Sequence, residues 1–435
     1  MPVSAPALSE AIAAIVGREH ALHDPSGLAP HAVDGLPPRW WASPGDIEQL
    51  GRLLTLASME GLAVTPRGSG AALDLGNPPR RLDLVLDCRR LDRVLEYVPE
   101  DLVASVQAGA SLASLEARLG QHRQQLALDP IGGASRTLGG VLATNASGPL
   151  RFRYGTARDL LLGVRFVQAD GTVTWGGAKV VKSVTGYEVP KLMVGALGTL
   201  GVIGEVTLRL HPVPPASGGW LFGFETETSA AGFVTETLAS TLQPDRLSLL
   251  NDVALRRAAQ PVSRLAVAVS VSSVPEAVAS HGESLEKLAR QHGVRSITSG
   301  EGLWQALAPA LDGPLALRLA CEIGRLLPWL GQLEARVARL GGRIAALGEA
   351  GNGVLRAAVL EPPLERLAGE VVAPLREELG AEGGSLVVER APLGLKKELD
   401  VWGSMSPGQL DIMRRLKHEF DPAGILNPGR FVGGI

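Results

Sequence analysis

The chain has 435 residues, 45% of them hydrophobic and 20% charged, with 42 basic against 45 acidic residues and a formal net charge of -3. That length supports two or three ordinary domains, and the balance excludes disordered and fibrous classes. The charges are interleaved, so no basic stripe offers a nucleic-acid footprint, and the longest apolar run, 314–329, is broken by Arg318, Glu322 and Arg325 before it reaches the ~20 residues of a membrane span.

Residues 1–16 carry Glu10 inside an apolar stretch and lack a basic leader, which argues against a secretory signal and for a cytoplasmic address. Helical spacing runs over 46–61, and 62–65 reads as a short strand entering the turn Pro66-Arg67-Gly68-Ser69-Gly70. Strand-like runs follow at 82–87, 94–98 and 102–107, then an Ala/Leu helix at 111–119 with Ser111 as its N-cap. Asp170-Gly171 between 164–167 and 172–175 predicts a hairpin, and 200–210 alternates as a further strand. His211-Pro212-Val213-Pro214-Pro215 breaks regular structure and places a first boundary near 215.

Beyond it, strands at 220–224, 265–271, 315–320, 343–347, 354–359 and 385–388 alternate with helices at 274–291 and 329–340. That pattern predicts one antiparallel sheet with helices on one face. A last helix runs to His418, before a tail that includes Asn427. The expected class is α+β, divided as 1–215, 216–395 and a returning segment 396–435.

With 53 Gly and 30 Pro, the chemistry is sought in backbone-made loops. In Pro66–Gly70 two glycines tolerate positive φ, Ala71 and Ala72 are too small to obstruct a ligand, and consecutive amides form a nest for an anion. The turn matches neither GxGxxG nor GxxxxGK[ST], and taken alone an ordinary turn is the more common reading. A second run from Asp129 to Pro149 offers amides, hydroxyls and the Asn145 side chain with little bulk. Packing of a tight loop against a helix start is the alternative there. Cys88 and Cys321 stand far apart and outside any CxxC pair, so both read as isolated thiols, with no disulfide, zinc or iron–sulfur site expected.

Several motifs occur in one order: Pro66–Gly70, Thr137-Leu138-Gly139-Gly140 with Ala143-Thr144-Asn145, Tyr154–Asp159, Lys182–Tyr187 and Gly198–Ile203. In that order the chain resembles the vanillyl-alcohol oxidase and p-cresol methylhydroxylase (PCMH) type of FAD-binding domain. The tail Phe420-Asp421-Pro422-Ala423-Gly424-Ile425-Leu426-Asn427-Pro428-Gly429-Arg430 is similar to that of the FAD-binding subunits of bacterial glycolate oxidase. The resemblance implies FAD held between a PCMH-type domain and an antiparallel α+β cap. It places the backbone of Arg67, Gly68, Ser69 and Gly70 on the pyrophosphate, beside Ala71 and Ala72. Pro130, Thr137, Leu138, Gly140, Thr144, Asn145, Ser147 and Tyr154 would line the pyrophosphate and flavin. Gly201, Val202 and Ile203 would face the adenine and ribose, and Asn427 the flavin edge. No His or Cys lies between Pro66 and Leu75, so the FAD is expected to be dissociable.

One departure bears on activity. Metal-dependent 2-hydroxy-acid dehydrogenases of the superfamily carry histidines where this chain has Glu349, Arg356 and Arg390, and only Glu389 persists. Arginine stays protonated and serves neither as a ligand nor as a base, so no metal site is expected and no catalytic residue is assigned. The two acids and two arginines read as a structural ion network; the alternative is that Arg356 or Arg390 clamps a substrate carboxylate. His418 reads as an ordinary residue of the tail helix rather than a replacement base. Three functions remain open: an FAD-binding electron-transfer subunit with a paralogous flavin subunit and an iron–sulfur subunit as partners, a self-sufficient dehydrogenase or oxidase of a small 2-hydroxy acid, and a scaffold. The first places the chain in the cytoplasm, or at the inner-membrane periphery through its partners.

Overall fold

The computed structural model describes residues 4–177, 188–300, 302–361 and 364–435, which gather into two compact units. The motif Lys182–Tyr187 lies outside the described residues. The first unit comprises Met1–Ser147, Thr156–Val213 and Ser404–Ile435; the second comprises Gly148–Gly155 and Pro214–Gly403. The sequence predicts a first domain unbroken over 1–215 and a returning segment from 396. In the structure 148–155 belong to the second unit, where Phe152 packs on its core and Arg153 donates to Gln243 at 2.9 Å. Residues 396–403 stay there as well, because the Val388 amide donates to the Val401 carbonyl at 2.8 Å and Val401 is buried.

In the first unit, the helix Ile47–Glu60 starts where Asp46 accepts from the Gln49 amide at 2.7 Å and ends at the left-handed Gly61. It buries Leu50, Leu53, Leu54 and Ala57 along one face. A four-stranded sheet is ordered Ala21–Leu22, Trp40–Ala42, Leu84–Asp87, Val64–Arg67, and the last three strands are parallel. Pairing of Val64 with Leu84 through Arg67 with Asp87 carries the third strand of the chain two residues beyond its predicted end, up to the glycine turn. A five-stranded antiparallel sheet is ordered Val94–Val98, Val103–Gln107, Val202–Arg209, Leu161–Val167, Val173–Gly177. Its last pair is the predicted hairpin, with Asp170 accepting from the Thr172 amide at 2.8 Å. The helix Leu112–Gly120 is capped by Ser111 as expected.

In the second unit eight antiparallel strands form one sheet, ordered Ser296–Ser299, Ala216–Phe224, Leu265–Ser273, Arg246–Asn251, Arg343–Glu349, Val354–Leu360, Leu315–Ala320, Ser385–Arg390. Helices Glu227–Ala239, Pro275–Gln291, Leu326–Arg339 and Ala373–Ala381 bury their apolar stripes on one face. The expectation of helices on that face alone is corrected by Asp252–Arg257 and Leu303–Ala310, which cover part of the other. The cause is legible in Leu265–Ser273: Leu265, Val267, Val269 and Val271 face the first helix layer, while Ala266 and Ala268 are also buried and face the second. Among the described residues no helix is long and apolar enough to cross a membrane.

Candidate functional site

The parallel strand Val64–Arg67 delivers the glycine turn at its carboxyl end, the usual side for ligands in parallel sheets. Gly68 is required there, because a β-carbon would sit 1.9 Å from Thr137 Oγ1. Gly70 has φ of 84°, a conformation that side chains rarely adopt, and its carbonyl accepts from the Leu73 amide at 3.1 Å. Opposite the turn, Thr137 caps the short helix Leu138–Thr144 by accepting from the Gly140 amide at 3.3 Å. The loop 195–201 supplies a third wall, with Leu197 and Gly198 both at positive φ.

The C-terminal tail ties these loops together. The Asn427 amide donates to the Val64 carbonyl at 2.8 Å, and its side chain donates from Nδ2 to the Leu197 carbonyl at 2.6 Å. Lys417 Nζ donates to the carbonyls of Thr199 at 2.9 Å and Leu426 at 2.8 Å, and to Asp421 at 2.5 Å. Asp421 in turn accepts from the amides of Ile425 and Leu426. Burial lowers the Lys417 ammonium from its ordinary value, and Asp421 opposes that shift. Arg430 is buried and donates to the carbonyls of Leu73 and Leu75 at 2.5 and 2.7 Å. Burial pushes it down to about 10, against the pull of Asp34 and Asp74, so it remains a cation at neutral pH.

These elements enclose a cleft of about 820 Å³, open to solvent, within the first unit. Arg67, Gly68, Ser69, Gly70, Ala71, Ala72, Thr137, Gly140, Thr144, Gly201, Val202, Ile203 and Asn427 all line it, so the structure brings these expected site residues together. Five others do not line it. Leu138 is buried in the hydrophobic core, Pro130 and Ser147 are buried elsewhere, and Asn145 is exposed as the left-handed cap ending its helix. Tyr154 lies in the second unit, its hydroxyl raised above the ordinary value mainly by burial. The sequence reading passed over Cys88, Arg136, Leu197 and Arg430, which do line the cleft. Arg136 and Arg430 stood inside quoted motifs; Cys88 carried no signal. Burial pushes the Cys88 thiol up to about 12.

The donor set suits an anionic, flat cofactor. Three arginines, Arg67, Arg136 and Arg430, line the cleft, and among its described lining residues there is no carboxylate. Arg67 Nε and Asn427 Oδ1 are buried with no hydrogen-bond partner among the described residues, one donor and one acceptor that a ligand can complete. A diphosphate with aromatic ends meets both needs, and FAD therefore fits.

In the second unit Glu349, Arg356, Glu389 and Arg390 do not form the single expected network among the described residues. Glu349 is buried and paired with Arg356, with Arg151 at 3.8 Å. Glu389 pairs instead with Arg318 at 2.8 Å, and Arg390 turns to Asp312 at 2.6 Å. Arg318 and Arg356 are directly opposed across two strands, and each like charge is offset by its own acid. His418 is exposed; it is its neighbour Lys417 that anchors the cleft. Among the described residues no group of three or more His, Cys, Asp or Glu side chains gathers as a metal site.

Two family models match, the FAD binding domain over residues 38–177 and the C-terminal domain of FAD linked oxidases over 214–431. An FAD-linked oxidoreductase of Mycobacterium tuberculosis is 30% identical over 424 residues, 91% of each chain. Glycolate oxidase subunit GlcD of Bacillus subtilis is 27% identical over 416 residues, 89% of this chain and 87% of that one. The solved structure of p-cresol methylhydroxylase with substrate bound superposes with a TM-score of 0.79 at 16% identity, covering 98% of this chain and 96% of the other, so the PCMH-type fold is shared. With the cleft in view, these matches establish that the chain belongs to the FAD-linked oxidases, as an FAD-dependent oxidoreductase related to glycolate oxidase subunit GlcD.

Proposed function

We propose that the chain is the FAD-binding subunit of a glycolate oxidase-like complex, holding dissociable FAD for electron transfer alongside a paralogous flavin subunit and an iron–sulfur subunit. When bound, FAD supplies the two-electron chemistry. The chain's own part is to bind and orient. Amides of Gly68 to Gly70 and the cations Arg67, Arg136 and Arg430 would hold the diphosphate, Val202 and Ile203 would give an apolar wall, and Asn427 Oδ1 would accept a hydrogen bond from the cofactor.

The observation that carries this reading is the pairing of buried Glu349 with half-buried Arg356. Where related dehydrogenases place metal-binding histidines, this chain holds an arginine already engaged by an acid, and a guanidinium accepts no proton from a hydroxy acid. Relatives named as glycolate oxidase subunits support a place in an assembly of that kind. In that assembly the 2-hydroxy acid is oxidised on the paralogous flavin subunit.

Anaerobic mixing with glycolate or D-lactate tests it. The purified chain should be yellow and keep its flavin oxidised alone, then bleach once the partner subunits are added. Bleaching in the isolated chain would replace the subunit reading with a self-sufficient dehydrogenase, and a colourless chain that takes up no FAD would leave a scaffold.

A further inference from the structure

Arg67 enters the cleft by way of a contact that the glycine turn itself does not supply. Its Nη1 donates to His31 Nδ1 at 2.8 Å, and the Pro30 carbonyl lies 3.5 Å away. The His31 ring is stacked on Trp41, with centroids 5.3 Å apart and planes inclined by 30°. The guanidinium is thereby folded back over its own turn: a β-carbon on Gly70 would meet Arg67 Nε and Nη2 at 3.2 Å each. Its Nε is buried without a partner among the described residues, and Arg67 is part of the lining of the cleft.

A free arginine side chain samples many rotamers, and fixing one for ligand binding costs entropy. An acceptor that is itself held by ring stacking removes much of that cost in advance. His31 suits the task because its Nδ1 lone pair accepts from a cation without neutralising it, whereas a carboxylate there would cancel the charge offered to the ligand. Burial and the neighbouring Arg67 hold the imidazole below its ordinary value of 6.5; Asp87 pulls the other way and Arg89 adds to the lowering. The ring is therefore the neutral acceptor at neutral pH.

We propose that His31, braced by Trp41, is a positioning residue that presents the Arg67 side chain as a preset cation to the phosphoanhydride of the bound cofactor. This rests on the reading of the cleft as the FAD site, and it adds a side-chain contact and two residues from the N-terminal segment to a turn otherwise read through its backbone.

The test is a double-mutant cycle on FAD affinity, measured by flavin fluorescence with apoprotein. His31→Phe keeps a ring for Trp41 but removes the acceptor, while His31→Asn keeps an acceptor and removes the ring. We expect H31F to weaken FAD binding about tenfold, the size of a lost hydrogen bond to a charged group, and H31N to restore affinity to within about threefold of wild type. In an Arg67→Met background H31F should have no further effect. Thermal unfolding of each apoprotein confirms folding, and if H31F does not fold, His31→Leu takes its place in the cycle. H31F binding as tightly as wild type, or effects of H31F and R67M that simply multiply, would overturn the positioning role. A wild-type apoprotein that takes up no FAD would instead overturn the site reading on which the role depends, and the two failures are told apart by the wild-type titration alone.

Discussion

The cleft of the first unit and the charged end of the sheet in the second solve opposite electrostatic problems. In the cleft, three arginines stand in the wall with no carboxylate among the described lining residues, and hydrogen-bonding atoms without a partner among the described residues remain at Arg67 and Asn427. On the sheet, Arg356, Arg318 and Arg390 are each met by an acid, Glu349, Glu389 and Asp312. Polar groups left open inside a protein are costly unless a ligand completes them, whereas closed ion pairs complete themselves. The contrast assigns ligand binding to the first arrangement and architecture to the second.

Removing one partner of the closed pair should give the largest effect. Glu349→Ala removes the buried acid paired with the half-buried Arg356, and breaking such a pair costs about 3–5 kcal/mol. Urea denaturation should show that loss, with flavin content per folded molecule unchanged, and a Glu349→Leu/Arg356→Met double variant should recover most of it. Gly68→Ala should act on the cofactor site instead. Its new methyl group collides with Thr137 Oγ1, overpacking worth about 1–3 kcal/mol, and the purified protein should lose most of its 450 nm absorbance.

A smaller effect concerns the thiols. Burial holds Cys88 at about 12 and Cys321 at about 11, so a maleimide at neutral pH should label Cys88 only after unfolding and Cys321 slowly in the native state. Peptide mapping reads this directly, and rapid native labelling of Cys88 would show that the cleft wall opens.

The smallest effect is a pH dependence. His31 has a folded value below the ordinary 6.5, so as pH falls the unfolded chain takes the proton first. Stability of the apoprotein is fully present above that ordinary value and lost as pH falls through the folded one. The decline in melting temperature between pH 7 and 5 should be shallower in H31N than in wild type.

The sequence made the first unit legible where chemistry requires glycine or a capping hydroxyl. Gly68 and Gly70 stand out because few other residues fit such a turn, Thr137 follows only from the family resemblance, and all three line the cleft. Leu138 belongs to the same motif, yet successive positions of a helix point about 100° apart, and its side chain goes to the core. His31 and Trp41 gave no signal, since their role arises from a long-range contact with Arg67. In the second unit, substituted histidine positions announced a change of chemistry, but partner choice depended on strand register. Glu389 and Arg390 are adjacent in sequence yet pair separately with Arg318 and Asp312, and a register shift lies at Ala316/Leu317 opposite them. The strand Arg246–Asn251 also escaped notice, being short and flanked by charge on both sides.

Hydrogen exchange on the apoprotein with and without FAD tests the central assignment most directly. FAD should slow exchange at amides of 67–73, 138–144, 197–203 and 427–430 together, the four segments that wall the cleft. Protection confined to other segments, or none at saturating FAD, would contradict it.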